Sequence, residues 1–200
     1  MGKRAETRFP ILDVLARRWS PRAFATRPVE SEKLGALFEA ARWAASAYNE
    51  QPWRFLVARR EEAQAFAAVL SCLVEGNRAW AKAAPVLALA TVKRTYTHNQ
   101  RTNTHAWHDL GLATAQLIVQ AESLGLGVHL MAGILPDKAR ETFSIPDDFD
   151  VVTGIAIGYR GDPAALPVPL EERERAVRER RPLEQMVFGG AWGTAARFRA

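Results

Sequence analysis

Two kinds of apolar pattern alternate along the chain. One has the period of a helix. Leu34, Leu37, Phe38, Ala41 and Ala45 fall at i, i+3, i+4, i+7 and i+11, along one face of a helix over 31–46. Ser31 is placed as its N-cap, with Glu32 in the first turn. A longer helix from Trp107 carries Leu110, Leu112, Ala113, Leu117, Ile118, Val119, Ala121 and Leu124, apolar on most sides, which predicts burial. Gly125 is placed to end it. Shorter helices are expected over 9–16, over 61–75 with Cys72 on it, from Pro136 through 143, and over the charged stretch 170–181. The second pattern is the short continuous run. RFLVAR (54–59), PVLALATV (85–92) and VVTGIAIGY (151–159) read as strands, and VHLMAGI (128–134) as an extended segment turning at Gly133. Polar residues 95–105 read as a flexible loop.

Interleaved helices and strands indicate an α+β or α/β class, with a mixed sheet covered by helices. Two hundred residues fit one domain, 1–200, with 160–200 as an arm. Leu183, Met186, Val187, Phe188 and Trp192 give that arm apolar teeth, to pack on a partner subunit or on its own. The composition, 48% hydrophobic and 24% charged, is that of a globular chain. A net charge of +5 and a pI near 9.8 allow a nucleic acid, an acidic surface or a phosphate-bearing ligand as partner. Cys72 is the only cysteine, so neither an internal disulfide nor a multi-cysteine metal site can form, and a reducing cytoplasm is the expected compartment. The N-terminal MGKRAETRFP lacks the apolar run of a secretory signal, and no apolar stretch reaches the length that spans a bilayer, so no membrane association is expected.

The dinucleotide fingerprint is missing: GLGVHL (125–130) has two of its glycines and follows a helix instead of a strand. No Walker loop, HExxH or GxSxG occurs, which leaves triad chemistry unsupported. His105 and His108, with Asp109 adjacent, could share a helix face as a metal pair, but a polar helix start is the stronger reading. Cys72 has no basic neighbour close in sequence and reads as packed. Two clusters carry more chemistry. Arg17, Arg18, Ser20 and Arg22 crowd one turn around Pro21, and arginine forks with a hydroxyl match phosphate oxygens. Of the second cluster, most arginines have acidic neighbours and read as a solvated face, while Arg180 or Arg181, before Pro182, could reach a phosphate. Finally, Asn49 and Gln51 sit in a short turn stiffened by Pro52, where two amides can fix the turn or hold a flat, heteroatom-rich ligand.

Taken together, RRWSPRAF (17–24), EAARWAASAYNEQPWRFLV (39–57), MAGILPDKARETFSIPDD (131–148) and IAIGYRGDP (155–163) resemble, in order and spacing, the nitroreductase family of FMN-dependent oxidoreductases. The resemblance implies an α+β fold with a mixed, mainly antiparallel sheet flanked by helices, a homodimer with a C-terminal arm, and two FMN sites at the interface. It places Arg18, Trp19, Ser20 and Arg22 at the FMN phosphate and ring edge. Ser46, Asn49 and Gln51 fall in the stretch that the other subunit contributes around the ring. Ala132 and Gly133 come beside the flavin N5, and Arg180 or Arg181 at the phosphate. One departure is visible: Ala45-Ser46-Ala47 stands where the family often has Pro-Ser-Ser, so Ala47 can offer only its backbone. The implied activity is hydride transfer from NAD(P)H through the flavin to a flat, electron-poor nitroaromatic, quinone or enone, by a ping-pong sequence. No side chain need act as acid or base, which fits the absence of a triad. Two alternatives stand beside it: a flavoenzyme of the same family with an oxygen- or halogen-linked reaction, decided by 61–80 and 95–105, and a non-enzymatic basic nucleic-acid binder, supported by charge alone and lacking any RNP-like or helix-turn-helix signature.

Overall fold

The computed structural model describes residues 3–198, so the ends of the expected 1–200 unit, residues 1–2 and 199–200, lie outside the described residues. In chain order the elements are α1 (Asp13–Arg17), α2 (Ser31–Arg42), β1 (Trp53–Arg59), α3 (Ala63–Ser71), α4 (Glu75–Ala81), β2 (Val86–Lys93), α5 (Ala106–Ser123), β3 (Gly127–Met131), α6 (Pro136–Phe143), β4 (Phe149–Gly158) and α7 (Val168–Arg175). The strands form one sheet in the order β1–β2–β4–β3, and every pairing is antiparallel. The α+β class with an antiparallel sheet is therefore as expected.

The central position of β2 explains its unbroken apolar run. Both of its faces are covered, so neither can be polar. Val86, Ala88, Ala90 and Val92 point to one side, into a cluster with Leu37 and Ala41 of α2 and Leu110, Ala113 and Leu117 of α5. Leu87 and Leu89 alternate to the other side, against Phe66 and Val69 of α3 and Trp80 of α4. At the end of α5, Gly125 takes φ 76°, and the amides of Gly125 and Leu126 return to the carbonyls of Glu122 and Ala121 at 3.1 and 2.8 Å. That Schellman turn needs a left-handed residue, which glycine supplies without strain, and it aims the chain into β3.

Five local expectations are corrected. The helix expected over 31–46 stops at Arg42, which leaves Ala45 exposed. Its cap position is held by Glu30 without a side-chain bond, while Ser31 Oγ accepts from Arg59 Nη2 at 3.0 Å. The helix expected over 61–75 ends at Ser71, beyond which Leu73 is drawn into the core and bridges to Ile134, and α4 starts only at Glu75. Helix α5 is not buried all round: Trp107 and Leu112 are 55% and 37% exposed. The charged helix ends at Arg175, so Arg178, Arg180 and Arg181 lie on non-helical chain. No helix among the described residues is long and apolar enough to cross a membrane.

Candidate functional site

The turn after α1 is fixed from three directions. Pro21 lies flat on the start of β3, where a Cβ on Gly127 would come within 2.6 Å of the Pro21 ring. The Pro21 carbonyl accepts from His129 Nδ1 at 2.9 Å, and the His129 ring packs 4.6 Å from Trp80. Burial, aided by the charges of Arg22 and Arg18 and opposed by the Pro21 carbonyl, lowers the His129 pKa to about 4, so the ring is neutral. From the opposite side, the buried carboxylate of Glu174 on α7 accepts the backbone N–H of Arg22 at 3.0 and 3.1 Å and that of Ala23 at 3.2 Å.

Positive charge gathers around this turn. Arg18 has one long contact, to Ser20 Oγ at 3.4 Å. Burial lowers the Arg18 pKa, as do Arg178, Arg180 and Arg160, against the pull of Glu122. Lys3 sits 4.6 Å over the Trp19 ring, and Arg160 faces the same ring from 5.9 Å. Burial, Arg22 and Arg178 lower the Lys3 pKa, while Glu174 raises it. Only two buried carboxylates stand among these cations, and both are engaged: Glu122 by Arg160, Glu174 by the backbone. Arg160 Nε is buried with no partner. Such a surplus of cations and free donors fits a phosphate dianion.

Of the two candidate C-terminal arginines, Arg180 stands near enough to Arg18 to oppose its charge. Both are exposed and line a groove between residues 5–15 and 178–184. Sequence reasoning passed over Lys3, Glu174 and His129 and left Arg178 on a solvated face. Arg178 instead donates to the carbonyls of Lys3 and Ala16 at 2.7 and 2.9 Å.

The amide turn is strained. Tyr48, Asn49 and Gln51 take φ of 56°, 54° and 50°, a region costing side-chain-bearing residues about 1–2 kcal/mol each. Side chains hold it there. Ser46 Oγ accepts from the Gln51 N–H at 3.0 Å, and the buried carboxylate of Asp109 on α5 accepts the Ala47 N–H at 3.0 Å. Gln51 Nε2 donates to the Asn49 carbonyl and side-chain oxygens at 3.0 and 3.1 Å. These bonds use neither Asn49 Nδ2 nor Gln51 Oε1. Tyr48 is 82% exposed and clusters with Tyr96 and His98, both 5.6 Å away. Glu50 accepts from the backbone and hydroxyl of Thr97, so loop 95–105 is fastened to this turn rather than free. His108 pairs with Asp109 at 3.3 Å, and no cluster of metal-binding side chains exists among the described residues.

Ala132 and Gly133 follow β3. The Gly133 carbonyl accepts from the Val74 N–H at 3.1 Å and Asn77 Nδ2 at 2.9 Å, and a Cβ there would approach Asn77 to 2.6 Å. Ala132 is exposed. The residues therefore divide into two sets. Arg18, Trp19, Ser20, Arg22, Ala132 and Gly133 border the β3 edge of the sheet, with Arg178 and Arg180 joining them. Ser46, Asn49 and Gln51 lead into β1, the opposite edge. Three strand spacings, about 14 Å, separate the two edges.

Comparison with known proteins gives a consistent result. The nitroreductase family profile matches residues 15–159. A protein of Stenotrophomonas maltophilia named NADH dehydrogenase/NAD(P)H nitroreductase is 31% identical over 163 residues, covering 72% of this chain and 81% of that protein. An uncharacterized 15.4 kDa protein of Mycolicibacterium smegmatis is 34% identical, covering 70% of this chain and 97% of its own length. A solved structure described as an oxidoreductase containing FMN is 36% identical, superimposes with a TM-score of 0.88 and covers 94% of this chain and 95% of that chain.

Proposed function

The chain belongs to the nitroreductase family, and from that premise we propose that it is an NAD(P)H oxidoreductase whose FMN is shared between two copies of the chain. The observation that carries this reading is the cation cluster around the pinned turn 18–22. Charge gathered at one turn suits a single phosphate group better than the long backbone of a nucleic acid. Bound FMN would supply the redox chemistry, taking a hydride from NAD(P)H and passing it to a flat, electron-poor acceptor in a ping-pong sequence.

The chain's own residues bind and orient. Arg18, Arg22, Arg178 and Arg180 neutralise the phosphate, Ser20 offers it a hydroxyl donor, and Arg181 is left out of that set. The β3 end, Ala132–Gly133, offers backbone to the ring, with the Gly133 carbonyl already held by Val74 and Asn77. Asn49 Nδ2 and Gln51 Oε1 of a second copy give one donor and one acceptor to the polar edge of the ring. The strained turn keeps both amides fixed before the cofactor arrives, so little ordering cost remains at binding. The amide turn and the cation cluster of one chain adjoin opposite sheet edges, which supports a homodimer. The unit is a single domain over 1–200 with 160–200 as its arm.

A visible absorption spectrum of the purified protein, before and after FMN is added and the excess removed, tests this. The expected result is a yellow protein that releases FMN on denaturation. A colourless protein that retains no added FMN would overturn the reading.

A further inference from the structure

We propose that Lys3 is a further contact for the flavin phosphate, carried over the turn 18–22 by an N-terminal strap that Arg178 pins in place. The proposal rests on the FMN reading above and adds a segment outside the residues, 15–159, that match the family profile.

The strap is tied at two points. The Ala5 N–H donates to the Ala16 carbonyl at 2.7 Å. Arg178 Nη1 donates to that same carbonyl at 2.9 Å and to the Lys3 carbonyl at 2.7 Å. One guanidinium from the C-terminal arm thus joins residue 3 to the residue that ends just before the phosphate turn. The result is a defined path for residues 3–5, and it sets the Lys3 ammonium 4.6 Å above the Trp19 ring.

That placement asks for an anion. The ammonium lies close enough to Arg22 and Arg178 to be opposed by both. The nearest acid that favours it, Glu174, has its oxygens engaged by the backbone amides of Arg22 and Ala23. Trp19 offers a cation–π contact of modest strength. Without a further anion, one carboxylate, Glu174, faces three cations here: Lys3, Arg22 and Arg178. With a phosphate dianion among them, the same three cations are drawn to one centre and the repulsion becomes attraction. Lysine suits this position: it acts as a point charge on a flexible stem and needs no planar partner.

The experiment compares FMN and riboflavin binding to the apo-protein by quenching of flavin fluorescence. Riboflavin lacks the phosphate and reports on the ring contacts alone. In Lys3→Gln, the FMN Kd should rise about fivefold or more, the usual scale for a partly exposed charge-assisted contact, with the riboflavin Kd unchanged. Lys3→Arg should restore most of the loss. An FMN Kd within about twofold of the parent overturns the proposal. So does equal weakening of FMN and riboflavin, which would make the strap a packing element. Arg22→Ala in the same assay separates the two readings. If it weakens FMN while Lys3→Gln does not, Lys3 alone is removed from the site. If neither affects FMN, the phosphate site itself is refuted.

Discussion

Replacing Glu174 with alanine removes the one side chain that ties α7 to the turn after α1. The structure sets the size of the effect. Glu174 is 2% exposed and accepts three hydrogen bonds from two backbone donors, Arg22 N–H and Ala23 N–H. Glu174→Ala leaves both donors without a partner, and an unsatisfied buried donor costs about 1–3 kcal/mol. Two of them sum to about 2–6 kcal/mol. Part is returned because a desolvated carboxylate no longer has to be buried. A net loss of about 3 kcal/mol follows. For a chain of this length each kcal/mol lowers Tm by about 2–4 °C, so Tm should fall by about 6–12 °C. Glu174→Gln keeps one acceptor oxygen and should lose about half as much. The assay is calorimetric or fluorescence-detected melting of the flavin-free protein, with parent and variants at one protein concentration, since association shifts Tm. A Glu174→Ala protein melting within about 2 °C of the parent would refute the reasoning, and Glu174 would then be a passive buried acid.

Three further outcomes are expected. Arg22→Ala should weaken FMN binding by about 1.5–3 kcal/mol, read as the Kd of the apo-protein, because it removes a charged partner while the Arg22 amide keeps its bond to Glu174. His129, held neutral with a pKa of about 4 against an ordinary 6.5, contributes stability that is complete above pH 6.5 and is lost as pH falls towards 4. Over that window the parent should lose on the order of 3 kcal/mol that His129→Phe does not, and equal pH slopes in urea unfolding would contradict the assignment. Gly158→Ala should destabilise by about 1–3 kcal/mol in urea titrations, since the new Cβ would lie 2.5 and 2.7 Å from the Pro85 ring.

What could be read from the sequence was what short-range physics decides. The runs at 54–59, 85–92 and 151–159 became β1, β2 and β4, and in the central β2 two-sided burial leaves no room for polar alternation. Pro136 and Gly125 marked a helix start and a helix end, since each has one strong backbone preference. The failures came where distant contacts intervened. A helical pattern ran through Cys72, yet Leu73 is pulled out of it to pair with Ile134. The charged stretch 170–181 had every local reason to stay helical. It stops at Arg175, and Arg178 reaches the carbonyls of Lys3 and Ala16 instead. In the candidate site, the crowded turn at Arg18, Ser20 and Arg22 was visible because its residues are neighbours in sequence. Glu174, His129 and Lys3 were not, because each acquires its role from residues far along the chain. The motif residues are legible and the residues that brace them are not.

The Arg178–Lys3 bond spans 175 positions, and this has a consequence for biosynthesis. The last strand is complete at Gly158, so every strand of the sheet is synthesised before the arm that braces the turn 18–22. The turn 18–22 waits longer for its fastening. Glu174, Arg178 and Arg180 lie within one short stretch of the arm, so the acid that clamps the turn and the arginines that crowd it arrive together. A chain truncated after β4 would keep every strand of the sheet and lose the brace on its turn, with the N-terminal strap held by the Ala5–Ala16 bond alone.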